Sequence, residues 1–194
     1  MRRLTMNADI EYSIVCRNES GQGHSVGVWP SFARAPHVAW LAAYLTPYTT
    51  IRFRWTLAYA VFCADTGPLQ NGDTIVATEI QPVGSLSKNC VRLESDRGRL
   101  HFSAPANGRA GFITIEQDQA VPPLRASIGI AINGMPAAVV QAQPGIVTSF
   151  AVHPTYKLAI GSGFKAGVLV DEKAIERIQT VAFRGLETSL TVTL

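Results

Sequence analysis

The sequence is poor in the residue types that enzymes most often use. Among 194 residues it has three cysteines (Cys16, Cys63, Cys90) and four histidines (His24, His37, His101, His153). The cysteines are odd in number and far apart, with no CxxC or Cys/His spacing, which excludes a zinc ribbon and a disulfide framework. Cys16 and Cys63 sit in apolar alternating stretches, where cysteine behaves as a small buried hydrophobe. Charge is scarce as well, at 16% against the usual quarter of residues, so much of the surface must be uncharged. The net charge is +3, with no basic run longer than Arg2-Arg3, and a nucleic-acid reader needs a concentrated basic face. No apolar run reaches the roughly 18 residues of a membrane helix. No apolar h-region follows the first residues, so no secretory signal is expected. Synthesis in a reducing cytoplasm follows, with signal-independent export left open, and the Asn18-Glu19-Ser20 sequon carries no weight.

What the chain has in quantity is alternation. From Ile51 to Cys63 every odd residue is apolar (Ile51, Phe53, Trp55, Leu57, Tyr59, Val61, Cys63), the period of a strand whose successive side chains point to opposite faces. The run reads as one strand of about 43 Å, bounded by Pro47 and by Gly67-Pro68. Its even face changes from Arg52, Arg54 and Thr56 to Ala58, Ala60 and Phe62, so one end faces water and the other is covered on both sides. Similar patterns cover Ile10 to Cys16, Ser25 to Trp29, Thr74 to Val83, Gly111 to Glu116, Ile146 to Val152, Tyr156 to Ile160, Gly167 to Val170 and Leu190 to Leu194. Val38 to Tyr44 is apolar on both sides and fits strand or short helix. Asp96-Arg97-Gly98 and Asn133-Gly134 mark hairpins, joining Cys90–Glu94 to Leu100–Phe102 and Ser127–Ile132 to Ala137–Gln143. One short helix is expected at 171–178, capped by Asp171 with Ala174, Ile175 and Ile178 as its apolar stripe.

About ten to twelve short strands at regular spacing, with one helix at most, predict an all-β fold. The expected architecture is a single-domain antiparallel β-sandwich, jelly-roll-like, over residues 1–194, with no linker or internal repeat to divide it.

The search for chemistry returns little. No GxSxG occurs, and His153-Pro154 ends a strand, where a structural role is commoner than catalysis. Glu116-x-Asp118 is a spacing common among surface acids, and no Asp-x-Asx-x-Asx-Gly loop offers a calcium site. The Gly161–Gly167 stretch lacks the Gly-Lys-Ser/Thr and following helix of a phosphate loop. No cofactor or metal is expected. What remains is a set of aromatic and amide groups suited to sugar hydroxyls and ring faces: Trp29, Trp40, Tyr44, Tyr48 and Tyr156 with Asp65, Gln141 and Gln143, to which His153 is added. Trp55 shares a face with Phe53 and Leu57 and belongs to the core.

Several segments together resemble one known family. Val38-Ala-Trp-Leu-Ala, Pro47-Tyr-Thr-Thr-Ile-Arg-Phe-Arg-Trp and Tyr59 through Thr66-Gly67-Pro-Leu69 with Gly72 are similar to the rhizosphere-expressed RhiA proteins of rhizobia and their relatives. Ala126-Ser-Ile-Gly-Ile, Val139-Val-Gln-Ala-Gln-Pro144 and Phe150-Ala-Val-His153-Pro-Thr-Tyr156 continue the likeness in the same order, over roughly residues 10–170. The resemblance implies a small soluble β-protein tied to quorum-sensing-controlled life near plant roots. It supplies no catalytic residue and no cofactor. The chain departs from the family's pattern at Cys63 and Lys157, where relatives often carry tryptophan.

The expected function is therefore non-enzymatic: self-assembly or contact with another macromolecule in bacterial–host or environmental interaction. Carbohydrate binding with a glycan or host-surface partner is the alternative, and a hydrolase the third. A pore-former would need an amphipathic N-terminal helix, for which residues 1–9 are too short and polar.

Overall fold

The computed structural model describes residues 10–32, 35–152 and 155–194. Strands dominate them. The first six are β1 (Tyr12–Arg17), β2 (His24–Pro30), β3 (Val38–Ala39), β4 (Leu41–Leu45), β5 (Thr50–Trp55) and β6 (Tyr59–Ala64). Next come β7 (Glu79–Pro82), β8 (Cys90–Asp96), β9 (Arg99–Phe102), β10 (Phe112–Gln117), β11 (Ser127–Ile132) and β12 (Met135–Gln141). The last are β13 (Val147–Ala151), β14 (Thr155–Gly161), β15 (Val168–Leu169), β16 (Ile175–Ala182) and β17 (Ser189–Thr193). They form four larger sheets, ordered β17-β1-β5, β16-β14-β2-β4, β12-β11-β6-β7 and β13-β10-β8-β9, plus the pair β15-β3. The fold is all-β and sandwich-like, as the alternation predicts.

The long run at 51–63 is a correction. It is two strands, not one: β5 pairs with β1, whereas β6 pairs with β11 and β7 in a different sheet. The break falls at Thr56–Ala58, where the even face turns from polar to apolar, and the Asn133 amide donates to the Ala58 carbonyl at 2.9 Å. β5 keeps Phe53 and Trp55 buried and Arg52 and Arg54 exposed, while all six residues of β6 are buried. Periodicity alone cannot see a corner at which both arms keep the same phase.

The helix expected at 171–178 is also corrected. Asp171 does cap, its carboxylate accepting from the Lys173 amide at 3.0 Å, but the helix is a single 3-10 turn at Glu172–Ala174. From Ile175 the chain becomes β16 and pairs antiparallel with β14. The β-branched run Ile175, Ile178, Thr180, Val181 favours a strand, and the open side of β14 supplies the partner. Two pairings, β1 with β17 and β8 with β10, are parallel and depart from a purely antiparallel sandwich. Val38–Tyr44 is strand on both sides of Trp40.

Both predicted two-residue hairpin turns form, with both central residues at positive φ as a type I′ turn requires. Asn133 and Gly134 lie at φ 51° and 75°, and Arg97 and Gly98 at 48° and 82°.

Between the sheets lies an aromatic cluster. The Trp55 ring meets Tyr156 at 4.9 Å, Trp40 at 5.3 Å, Phe183 at 5.8 Å and Tyr12 at 6.2 Å. Its two indole N–H groups are satisfied internally: Trp55 Nε1 donates to the Tyr156 hydroxyl at 3.0 Å, and Trp40 Nε1 donates to the Ile132 carbonyl at 3.1 Å.

Candidate functional site

The residues singled out in the sequence do not converge. Trp29, Trp40 and Tyr156 are at most 1% exposed and present no ring face to a ligand, which corrects their candidacy. Their area goes into packing between sheets, where a large apolar surface contributes most. Trp29 also stacks on His37 at 5.4 Å. Gln141 is a clamp. Its Oε1 accepts from the Leu69 amide at 3.0 Å, and its Nε2 donates to the carbonyls of Gly67 (3.1 Å) and Ala126 (2.6 Å), which ties the 65–70 loop to β12. Gln143 is exposed, with its amide donating to Gln117 Oε1 at 2.7 Å. Tyr44 is 69% and Tyr48 76% exposed. His153 lies outside the described residues.

Of that set, Asp65 lines a cleft of about 420 Å³ between the free edge of β7 and the β8–β9 hairpin. Its other walls are Thr78, Glu79, Arg97, Gly98, Arg99, Leu100 and Arg125. Glu79 fixes the width, because its Oε1 on β7 accepts from the Phe102 amide on β9 at 2.8 Å. Asp65 Oδ1 and Arg125 Nε face each other at 3.7 Å, and both side chains are more than half exposed. The arginines were missed because Arg97 and Arg99 read as ordinary hairpin charges and Arg125 is far away in sequence. The available signal was an arginine in the first position of a type I′ turn.

A second open region lies between β16 and β17, consecutive strands that diverge into different sheets. The groove of about 630 Å³ is lined by Gln179–Ala182, Arg184, Glu187 and Leu190–Thr193. Each of these strands is the edge of its sheet.

The titratable groups with displaced pKa values are held in their neutral forms. Burial pushes the Cys16 thiol from 9.0 up to about 12 and the Tyr156 phenol from 10.0 to about 12. Burial, chiefly, also raises Cys63, and it raises Cys90, with the Glu116 carboxylate adding to the effect. Burial lowers His37 below its usual 6.5 against the opposing pull of Glu172. Among the described residues no group of three or more His, Cys, Asp and Glu is placed to hold a metal.

A stability prediction follows from these directions. The raised Cys16 and Tyr156 pKa values stabilise the fold fully below the unfolded-state values, and that contribution is lost as pH rises from about 9 toward 12. The urea midpoint is expected to fall between about pH 8 and pH 10.5, with Cys16 unreactive toward a thiol reagent until the chain unfolds. A flat midpoint over that window, or rapid Cys16 labelling in the native protein, contradicts the burial of these groups.

A family model described as RhiA matches residues 9–194. The chain belongs to the RhiA family. It is 27% identical over 180 residues to Protein RhiA of Rhizobium leguminosarum bv. viciae, an alignment covering 89% of this chain and 78% of that relative. No solved structure matches it. Trp40, Tyr156 and the Gln141 clamp lie in segments that carry the RhiA resemblance, and in this fold they hold sheets and loops together. No helix among the described residues is long and apolar enough to cross a membrane.

Proposed function

We propose that this RhiA-family chain works by non-covalent contact, through self-association at the open β16–β17 groove, and catalyses no reaction. The observation that carries the reading is the free edge of β17. Its sequence, Ser-Leu-Thr-Val-Thr, has no charge, no proline and high β-propensity. Such an edge is a template for another strand, and proteins usually blunt it. Three other edges carry such devices, Arg52 and Arg54 on β5, Arg99 and His101 on β9, and Glu79 and Pro82 on β7, whereas the edges β4 and β13 also lack charge and proline. β17 carries none and opens onto the groove.

The hydrogen bonds give the parity. Ser13 N donates to the Thr188 carbonyl at 2.7 Å and Leu194 N donates to the Arg17 carbonyl at 2.8 Å, so even-numbered residues of β17 face β1. Thr191 and Thr193 therefore direct their N–H and C=O groups to the free side. The absence of catalysis is supported by thiols displaced away from the nucleophilic thiolate and by a His101–Glu94 pair, at 3.3 Å, in which both side chains are about 40% exposed.

Size-exclusion chromatography with light scattering tests this. The native chain is expected to exceed the 20.9 kDa of one copy as concentration rises. Thr191→Pro removes one outward N–H without touching the β1 ladder and is expected to weaken association at least tenfold while keeping the native circular dichroism. Equal association by Thr191→Pro and the native chain would reject this edge. Carbohydrate binding is the second reading, supported by the exposed rings of Tyr44 and Tyr48. It requires Tyr44→Ala to weaken glycan binding without loss of stability.

A further inference from the structure

The two hairpin turns of this chain make an internal comparison. Both have two-residue loops, closed by Asp96↔Arg99 in one and Ile132↔Met135 in the other, and their positive φ angles match closely. At Asn133 the first turn position carries the residue whose short polar side chain tolerates the left-handed region. At Arg97 the same conformation is taken by a long side chain, as it is at Tyr48, Lys88 and Leu124 elsewhere in the chain. A local rule broken in one turn and obeyed in the other points to a use for the side chain.

The surroundings say what that use is. Arg97, Arg99 and Arg125 line one cleft. Arg97 and Arg99 have no ion-pair partner among the described residues, and Arg125 keeps only the 3.7 Å contact with Asp65. Arg125 reaches the turn itself, since a Cβ at Gly98 would lie in ordinary contact with its Nη1 at 3.4 Å. Three arginines against the carboxylates of Asp65 and Glu79 leave the cleft net positive yet studded with acceptors. Guanidinium forks suit a planar carboxylate, and carboxylate acceptors suit hydroxyl donors. A ligand bearing anionic groups alone, whether carboxylate or phosphate, would leave the free carboxylate oxygens of Asp65 and Glu79 without donors. The Glu79–Phe102 bond holds the walls before any ligand arrives, and the volume is within the range of small-molecule sites.

We infer that this cleft binds an acidic sugar, a ligand that presents a carboxylate beside several hydroxyls, with Arg97 and Arg125 taking the carboxylate. The site is separate from the β16–β17 groove, so the inference stands or falls apart from self-association, and Thr191→Pro should bind as the native chain does.

Calorimetric titration of the full chain with trigalacturonate, maltotriose and inorganic phosphate tests it. Trigalacturonate is expected to bind, more weakly as salt rises, and maltotriose is expected not to bind. Arg97→Asn installs the residue that the other turn uses. It is expected to melt no lower than the native chain and to bind trigalacturonate at least tenfold more weakly. Arg125→Ala is expected to show a similar loss. Absence of trigalacturonate binding, phosphate binding as tight as trigalacturonate, or full affinity in Arg97→Asn would each overturn the assignment. So would an Arg97→Asn protein that loses affinity only because it unfolds at a lower temperature.

Discussion

Trp40→Ala is expected to lower the unfolding free energy by about 3–5 kcal/mol. Trp40 is 1% exposed, packs edge-on against Trp55 at 5.3 Å and lies over Tyr156 at 6.1 Å. Its removal opens a cavity that the stiff β-framework around it closes poorly. It also takes the Nε1 donor from the Ile132 carbonyl at the end of β11. Urea denaturation followed by circular dichroism measures the loss. Tyr44→Ala, at a 69% exposed site, is expected to fall within about 0.5 kcal/mol of the native chain. If Trp40→Ala proved equally mild, the aromatic cluster would not be the centre of this fold. A surface sugar platform at Trp40 would then return as an explanation.

Gly129→Ala is the second large effect, expected to destabilise by about 3 kcal/mol and to fold poorly. Gly129 sits in β11 between Phe62 on β6 and Val139 on β12. A methyl group there collides with the Ala138 carbonyl oxygen and approaches the Phe62 ring to 2.6 Å. Neither neighbour can yield easily: Ala138 contributes backbone, and Phe62 is fully buried. Thermal melting of the soluble fraction measures the change. A native-like melt would mean that β6 and β12 can separate to admit the methyl group.

The strands and turns were legible in the residues because alternation and turn chemistry are local. Asn133-Gly134 specifies its hairpin locally, whereas at 97–98 the glycine supplies the local signal and Arg97 takes the left-handed conformation against its own preference. The corner at Thr56–Ala58 was hidden because β5 and β6 share one hydrophobic phase, and only their partners, β1 and β11, reveal that they belong to different sheets. Ile175 and Ile178, three residues apart, fit a helical stripe, and only the open edge of β14 draws the segment into a strand instead. The site residues were less legible still. Exposure of an aromatic is a tertiary property, so Trp29, Trp40 and Tyr156 looked the same in sequence as Tyr44. Asp65 was visible as an acid in a turn, but its meeting with Arg125 depends on β6 pairing with β11, and the approach of Arg97 to the same cleft depends on β7 packing beside β9.

The exposed margin of β17 as the contact surface is tested most directly by amide hydrogen exchange, resolved by residue, across a range of protein concentrations. Exchange at Thr191 and Thr193 should slow as concentration rises, while Leu190 and Val192, on the side that faces β1, should hold their rates. Rates at Thr191 and Thr193 that stay constant up to the highest concentration would contradict it.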